Sequence, residues 1–219
     1  MNYTIITDEQ ALLDFINWLP DLKDNETYYC SLFARKKYCK EEIATNDKTQ
    51  LKRFTSNKER LLEKIKQLEV AVGAYKLKEI DDPQESLALY INPNPRDMKK
   101  ATFMVAQQCL NLIQGDANNF NIHAEALSCI QKSKSKSHFV DFDIDFKAID
   151  LNLLDGVLEK DMYHILETRG GYHILVDTKK APKTDWYKQI GDLYEIDQVG
   201  DNLIPVAGTF QGGFTPRFV

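Results

Sequence analysis

The chain of 219 residues is defined first by what it is short of. Its four cysteines, Cys30, Cys39, Cys109 and Cys129, show no C-x-x-C spacing and no neighbouring histidine pair. That excludes the ligand sets of structural zinc and leaves free thiols of a reducing compartment, several of them buried, as the expectation. No run of about 18 apolar residues is present for a membrane span. The opening stretch "MNYTIITDEQ" lacks the basic start and apolar core of a secretory signal, so an intracellular, cytoplasmic protein is expected. There is no basic excess either: 28 Lys and Arg stand against 33 Asp and Glu, a formal net charge of −5, which argues against wholesale coating of nucleic acid. Internal repeats are absent, and low complexity is confined to "KSKSKS". What is present, 43% hydrophobic residues over this length, suffices to bury a core as one domain or two packed modules.

The apolar spacing divides the chain into two parts. In residues 8–20, "DEQALLDFINWLP", apolar residues recur at helical spacing after Thr7, and Pro20 ends the pattern. "TYYCSLFARKKY" reads as a strand running into the basic cluster Arg35, Lys36 and Lys37. Residues 56–70, "SNKERLLEKIKQLEV", read as a charged amphipathic helix, a salt-bridged surface element rather than a binding face. "ESLALYINPNPR" reads as a strand stopped by Pro93 and Pro95, "DMKKATFMVAQQCLNLIQG" as a helix closed by Gly115, and "NNFNIHAEALSCIQKSKSKS" as a helix fading into a basic turn. These elements make an N-terminal α+β module over residues 1–135. From 136 to 219 the rhythm changes. "SHFVDFDID" reads as a strand, followed by a short helix or loop to Lys160. "YHILET" and "YHILV" are two strands hinged at Gly170-Gly171, a hairpin signal. A helix, "KTDWYKQIGDLY", precedes strand and loop in "EIDQVGDNLIPVAGTF". Strand, helix, hairpin, helix, strand is the order of a compact antiparallel sheet with helices on one face, so the predicted class is α+β.

The acidic strand poses the functional question. Successive strand residues point to opposite faces, so Asp141, Asp143 and Asp145 share one face while Val140, Phe142, Ile144 and Phe146 share the other. Like charges that close repel, and something positive must compensate. The plainer reading is the solvated side of an edge strand. Edge protection, however, uses lysine or mixed charge, and "DFDID" offers only acid. The sharper reading is that two or three of these carboxylates hold Mg²⁺ or Mn²⁺, hard cations that prefer oxygen ligands and keep waters for a phosphate to replace. Downstream, "ETRGGYHILV" supplies Arg169, two glycines that let a backbone approach a ligand closely, and His173. His164, in the parallel "YHIL" run, reads as a packed, hydrogen-bonded histidine.

Taken in order, the acidic D-x-D strand, the G-x-H on a hairpin strand and the later carboxylate resemble the three-motif signature of the archaeo-eukaryotic primase superfamily, the primase-polymerases. "VDFDIDFK" resembles the first motif, with Asp143 in it whether the pair is Asp141/Asp143 or Asp143/Asp145. The second choice fits better, because "DIDFK" resembles the family's acid pair followed by a lysine, here Lys147. "GYH", Gly171 to His173, resembles the second motif. "EIDQVGDNLIPVAGT" resembles the third, with Asp197 as the last metal ligand and Asp201 as the second choice. The resemblance implies an RRM-like antiparallel catalytic sheet packed against the N-terminal α+β module. It implies a metal-dependent nucleotidyltransferase, a DNA primase or polymerase acting on nucleoside triphosphates, with a two-metal Mg²⁺ or Mn²⁺ site built from Asp143, Asp145 and Asp197, or with Asp141. His173, assisted by Arg169, Gly171 and Lys147, would hold the nucleotide. The chain departs from the family where Leu203 and Ile204 stand before Pro205, a place where many relatives carry arginine. It shows no zinc-stem cysteines and no helicase-like extension, so priming is expected to depend on a helicase or another replication protein. Arg35, Lys36, Lys37, Arg96, Lys99 and Lys100, interleaved with Phe33, Tyr38 and Tyr90, suit a single-stranded DNA template. A metal-dependent nuclease using the same acids and a catalytically silent replication-initiator or DNA-binding module remain as alternatives.

Overall fold

A computed structural model describes residues 1–39, 47–77, 80–114 and 121–219. Gly115, expected to close a helix, and residues 118–120 of the following stretch lie outside the described residues. The helices are α1 (Glu9–Trp18), α2 (Leu61–Lys66), α3 (Met98–Gln114), α4 (Ile122–Lys132) and α5 (Trp186–Leu193). The strands are β1 (Glu26–Arg35), β2 (Lys48–Ser56), β3 (Lys76–Leu77), β4 (Ile80–Asp81), β5 (Leu87–Ile91), β6 (Arg96–Asp97), β7 (Phe139–Ile144), β8 (Tyr163–Glu167), β9 (Tyr172–Asp177), β10 (Gln198–Gly200), β11 (Ile204–Pro205) and β12 (Arg217–Phe218). Short 3₁₀ turns cover Lys36–Tyr38, Gln84–Ser86 and Leu151–Gly156. The chain is therefore α+β with antiparallel sheets. Among the described residues no helix is long and apolar enough to cross a membrane.

Two larger sheets organise the molecule. The first has the order β11-β5-β1-β2, with β6 paired to the start of β1; the second has the order β10-β7-β9-β8-β12. Every pairing in both is antiparallel. Alternation along β1 sends Tyr28, Cys30 and Leu32 into the first core, where they meet Leu12 and Phe15 of α1 and Leu61 and Ile65 of α2. Asp8 starts α1 by accepting the Ala11 amide at 3.0 Å, an N-cap bond that satisfies one orphan donor of the first turn. The second core lies on the other side of the second sheet, where Phe142, Ile144, Ile165, Ile174 and Val176 pack under Ile190 of α5 and Leu154 of the 3₁₀ turn.

One expectation is corrected. Residues 56–70 are helical only over Leu61–Lys66. Ser56 is instead the last residue of β2, a strand unread in the sequence, which pairs with β1 from Tyr28↔Ser56 to Arg35↔Lys48. The Asn57 side chain then accepts the Arg60 amide at 3.2 Å and turns the chain before the helix starts. The charges of "KTQLKRFTS" hid the strand, and pairing with a buried neighbour outweighed its local preference. The residues after 135 also contribute to the first sheet: β11 pairs with β5 through Ile204↔Ile91 and Pro205↔Tyr90. Phe139, Leu166, Leu175, Ile204 and Val206 all enter the first core.

Candidate active site

The site grows from one face of the second sheet. β7 and β9 pair with Asp141 opposite Leu175 and Asp143 opposite His173, so both acids and the histidine share the face turned away from α5. That face changes character along its length. At one end Phe139, Leu166 and Leu175 sink into the first core, with Phe139 stacked on Trp18 at 4.6 Å between ring centres. His164 joins this aromatic cluster, 5.5 Å from the Trp18 ring and 5.9 Å from Phe218. At the other end the face opens on a cavity of about 520 Å³ between the two sheets. Asp143, Asp145, Asp197 and His173 line one wall; Arg35, Lys37, Lys48, Tyr38 and Tyr90 line the opposite one.

The repulsion expected among the acids is answered residue by residue. Asp141, only 1% exposed, does not reach the cavity: both its oxygens lie 3.0 Å from His173 Nδ1, and Oδ2 also accepts from Asn202 Nδ2 at 3.1 Å. Burial disfavours a charged His173 ring, but the fields of Asp141, Asp143 and Asp145 outweigh it and raise the imidazole above its ordinary value. Asp145 has the Lys37 ammonium 3.8 Å away across the cavity. Asp143 has His173 Nε2 at 3.6 Å, and its carboxyl is pushed up to about 6, by burial first, against the pull of His173, and then by Asp141, Asp145 and Asp197. Asp197 is held beside it by a 2.8 Å bond from its own amide to the Asp143 carbonyl.

Several residues expected at the site are employed elsewhere. Arg96, expected at the template, is 2% exposed; its guanidinium meets Asp201 at 2.7 and 2.9 Å and the Gln131 carbonyl at 2.9 Å, which also removes Asp201 as a free metal ligand. Arg169 lies against Tyr38, donating to its carbonyl at 3.1 Å with the guanidinium 4.8 Å from the ring centre, and is absent from the cavity wall. Lys147 turns to Glu167 at 2.8 Å and sits over the Phe214 ring at 4.3 Å. Gly171 approaches its own chain rather than a ligand: a Cβ there would stand 1.8 Å from the Ile144 carbonyl oxygen. Lys36 is likewise not on the cavity wall, whereas Arg35 and Lys37 are. Arg35 donates to the Tyr90 hydroxyl at 3.0 Å.

The sequence reading missed Lys48, Asn92, Asn94 and Asn202. For Asn92 and Asn94 the signal was "NPNPR", polar residues alternating with prolines at a strand end and buried throughout. Asn92 donates to the Asn202 carbonyl at 3.1 Å, and Asn94 donates to Asp201 at 2.9 Å while its oxygen accepts the His138 and Phe139 amides. With Arg96, the motif therefore braces the loop between β10 and β11 against the start of β7.

Asp143, Asp145 and Asp197 fit a hard divalent cation in donor chemistry: all are carboxylates on a water-accessible wall, and Asp143, raised by burial first, is raised further by the acids around it. As the side chains lie, no group of three or more His, Cys, Asp or Glu among the described residues closes around a single point. Compared with known proteins, the chain shows no match to a protein-family model, and none to a curated protein or a solved structure at a level that carries an argument.

Proposed function

We propose that this chain is a metal-dependent nucleotidyltransferase of the primase-polymerase kind, one that starts or extends a strand on a DNA template from nucleoside triphosphates. One observation carries the reading: a single cavity has Asp143, Asp145, Asp197 and His173 on one wall and Arg35, Lys37, Tyr38 and Tyr90 on the other. Clustered carboxylates facing cations and aromatic rings suit a ligand that is a polyphosphate at one end and a flat base at the other. The strand order adds support. Taking β7, β8, β9 and β10 as strands one to four, the sheet runs 4-1-3-2, with helical turns after the first and third strands, an RRM-like arrangement to which β12 adds an outer strand.

Asp143, Asp145 and Asp197 would hold Mg²⁺ or Mn²⁺, whose chemistry when bound is to lower the pKa of the attacking hydroxyl and to offset triphosphate charge. His173, committed to Asp141 through Nδ1, offers Nε2 to a phosphate oxygen. Arg35 and Lys37 meet the remaining negative charge from the opposite wall, and the Tyr38 and Tyr90 rings exclude water beside them. A single-stranded template would track the Arg35–Lys37 rim, with a helicase or other replication protein as the partner in priming.

The test is extension of a labelled primer on a single-stranded template with Mg²⁺ or Mn²⁺. The proposal expects lengthening, and expects Asp143→Ala to slow it about 100-fold or more. A shortened strand identifies a nuclease using the same acids. A strand that is retained by the chain but unchanged in length identifies a silent binding module.

A further inference from the structure

Of the three acids, Asp141 is set apart from the other two. It shares the face of β7 with Asp143, yet it is 1% exposed and absent from the cavity wall, whereas the Asp143 side chain is 23% and that of Asp145, just beyond the strand, 58% exposed. Its oxygens are occupied. Asn202 Nδ2 donates to Oδ2 at 3.1 Å, and His173 Nδ1 lies 3.0 Å from both oxygens. An aspartate that already accepts an amide donor presents lone pairs to the ring, so the imidazole proton is placed on Nδ1. Nε2 is then the ring atom left to face Asp143 at 3.6 Å and the cavity beyond. The arrangement is itself anchored, because Asn92 at the end of β5 donates to the Asn202 carbonyl at 3.1 Å.

We propose that Asp141, braced by Asn202 and through it by Asn92, is a positioning residue that fixes the tautomer and orientation of His173, and is not a metal ligand. The role assigned to Nε2 rests on the nucleotide-binding reading above; the fixed tautomer does not. A buried carboxylate on the far nitrogen is how a protein dictates which imidazole atom meets a ligand, and removing such a partner costs about 10- to 100-fold in the function it supports. Divalent-cation affinity, by contrast, belongs to the carboxylates that reach water.

Two measurements on the full chain separate these points. Long-range ¹H–¹⁵N correlations of ¹⁵N-histidine-labelled protein, taken at a pH where the ring is neutral and assigned with a His173→Gln variant, report which nitrogen carries the proton. The expected result is Nδ1 in the parent, with that preference lost in Asp141→Asn and weakened in Asn202→Ala. A parent ring protonated on Nε2 overturns the proposal. Calorimetric titration with Mn²⁺ alone should give Asp141→Asn an affinity within about threefold of the parent and Asp143→Asn an affinity at least tenfold weaker. An Asp141→Asn affinity as weak as that of Asp143→Asn overturns the proposal in favour of a third ligand. If neither variant changes Mn²⁺ binding, the metal site assigned under the proposed function fails, while the tautomer measurement still decides the role of Asp141. Should Asp141→Asn not fold, Asn202→Ala carries the same tautomer test with the buried carboxylate left in place.

Discussion

Asp143 concentrates the conflict at the residue scale. Its carboxyl stands at about 6 against an ordinary 3.8, because burial and three neighbouring acids oppose its ionisation more than His173 favours it. Below pH 3.8 the folded and unfolded chains both hold this proton and the group is neutral in its effect. Between 3.8 and about 6 the unfolded chain releases the proton while the folded chain keeps it, so stability falls as pH rises, and above 6 the full penalty of roughly 3 kcal/mol applies. Asp143→Asn removes that charge. In metal-free buffer at pH 8 its melting temperature should therefore equal or exceed that of the parent, and Mn²⁺ should raise the melting temperature of the parent but not of the variant. A variant that melts lower than the parent at pH 8 and gains as much from Mn²⁺ contradicts both the repulsion and the ligand role.

At the scale of elements, the hairpin of β8 and β9 presents His173. Its turn is closed by the Thr168 amide on the Gly171 carbonyl at 2.9 Å and by the Gly171 amide on the Thr168 hydroxyl at 3.1 Å. The two glycines differ in function. At Gly171 a methyl group would overlap the Ile144 carbonyl at 1.8 Å and crowd the Phe146 amide at 2.7 Å, whereas at Gly170 it would meet Asp145 Oδ1 at an ordinary 3.6 Å. Gly171→Ala should cost about 3 kcal/mol or more, because backbone must shift at the end of the acidic strand. Gly170→Ala should stay within about 0.5 kcal/mol of the parent. Urea denaturation of the two variants checks the contrast, and equal stabilities would show that β7 and the hairpin are less tightly apposed than described.

On the scale of the whole molecule, the joints between the two sheets include the shared first core, β11 pairing on β5, and the buried contact of Arg96 with Asp201. Arg96→Ala leaves the Asp201 carboxylate, whose side chain is 18% exposed, without its guanidinium, and should cost about 3–5 kcal/mol. Because Phe139, Leu166, Leu175, Ile204 and Val206 all belong to the first core, a fragment of residues 1–135 should show no cooperative melt by circular dichroism, and the full chain should melt in a single transition. A cooperative melt of the fragment would mean that the N-terminal sheet closes its core unaided.

The sequence by itself determined the elements whose pattern is local. The alternation of "FVDFDI" placed Asp141 and Asp143 on one face, the glycine pair marked the hairpin, and helical spacing after Thr7 with Pro20 at its end located the first helix. A strand's period of two assigns a face and says nothing about depth along that face. Depth was decided by what packs there. Asn202, delivered by a loop that "NPNPR" braces, covers Asp141 and leaves Asp143, two residues on, facing the cavity. The same dependence on distant partners took Arg96 from the surface to the interior, where Asp201 lies 105 residues away in the chain, and turned Arg169 toward Tyr38, 131 residues away. Spacing within a segment cannot carry that information, because each of these side chains is oriented by a charge or a hydrogen-bond partner that only the folding of the second sheet against the first brings within reach.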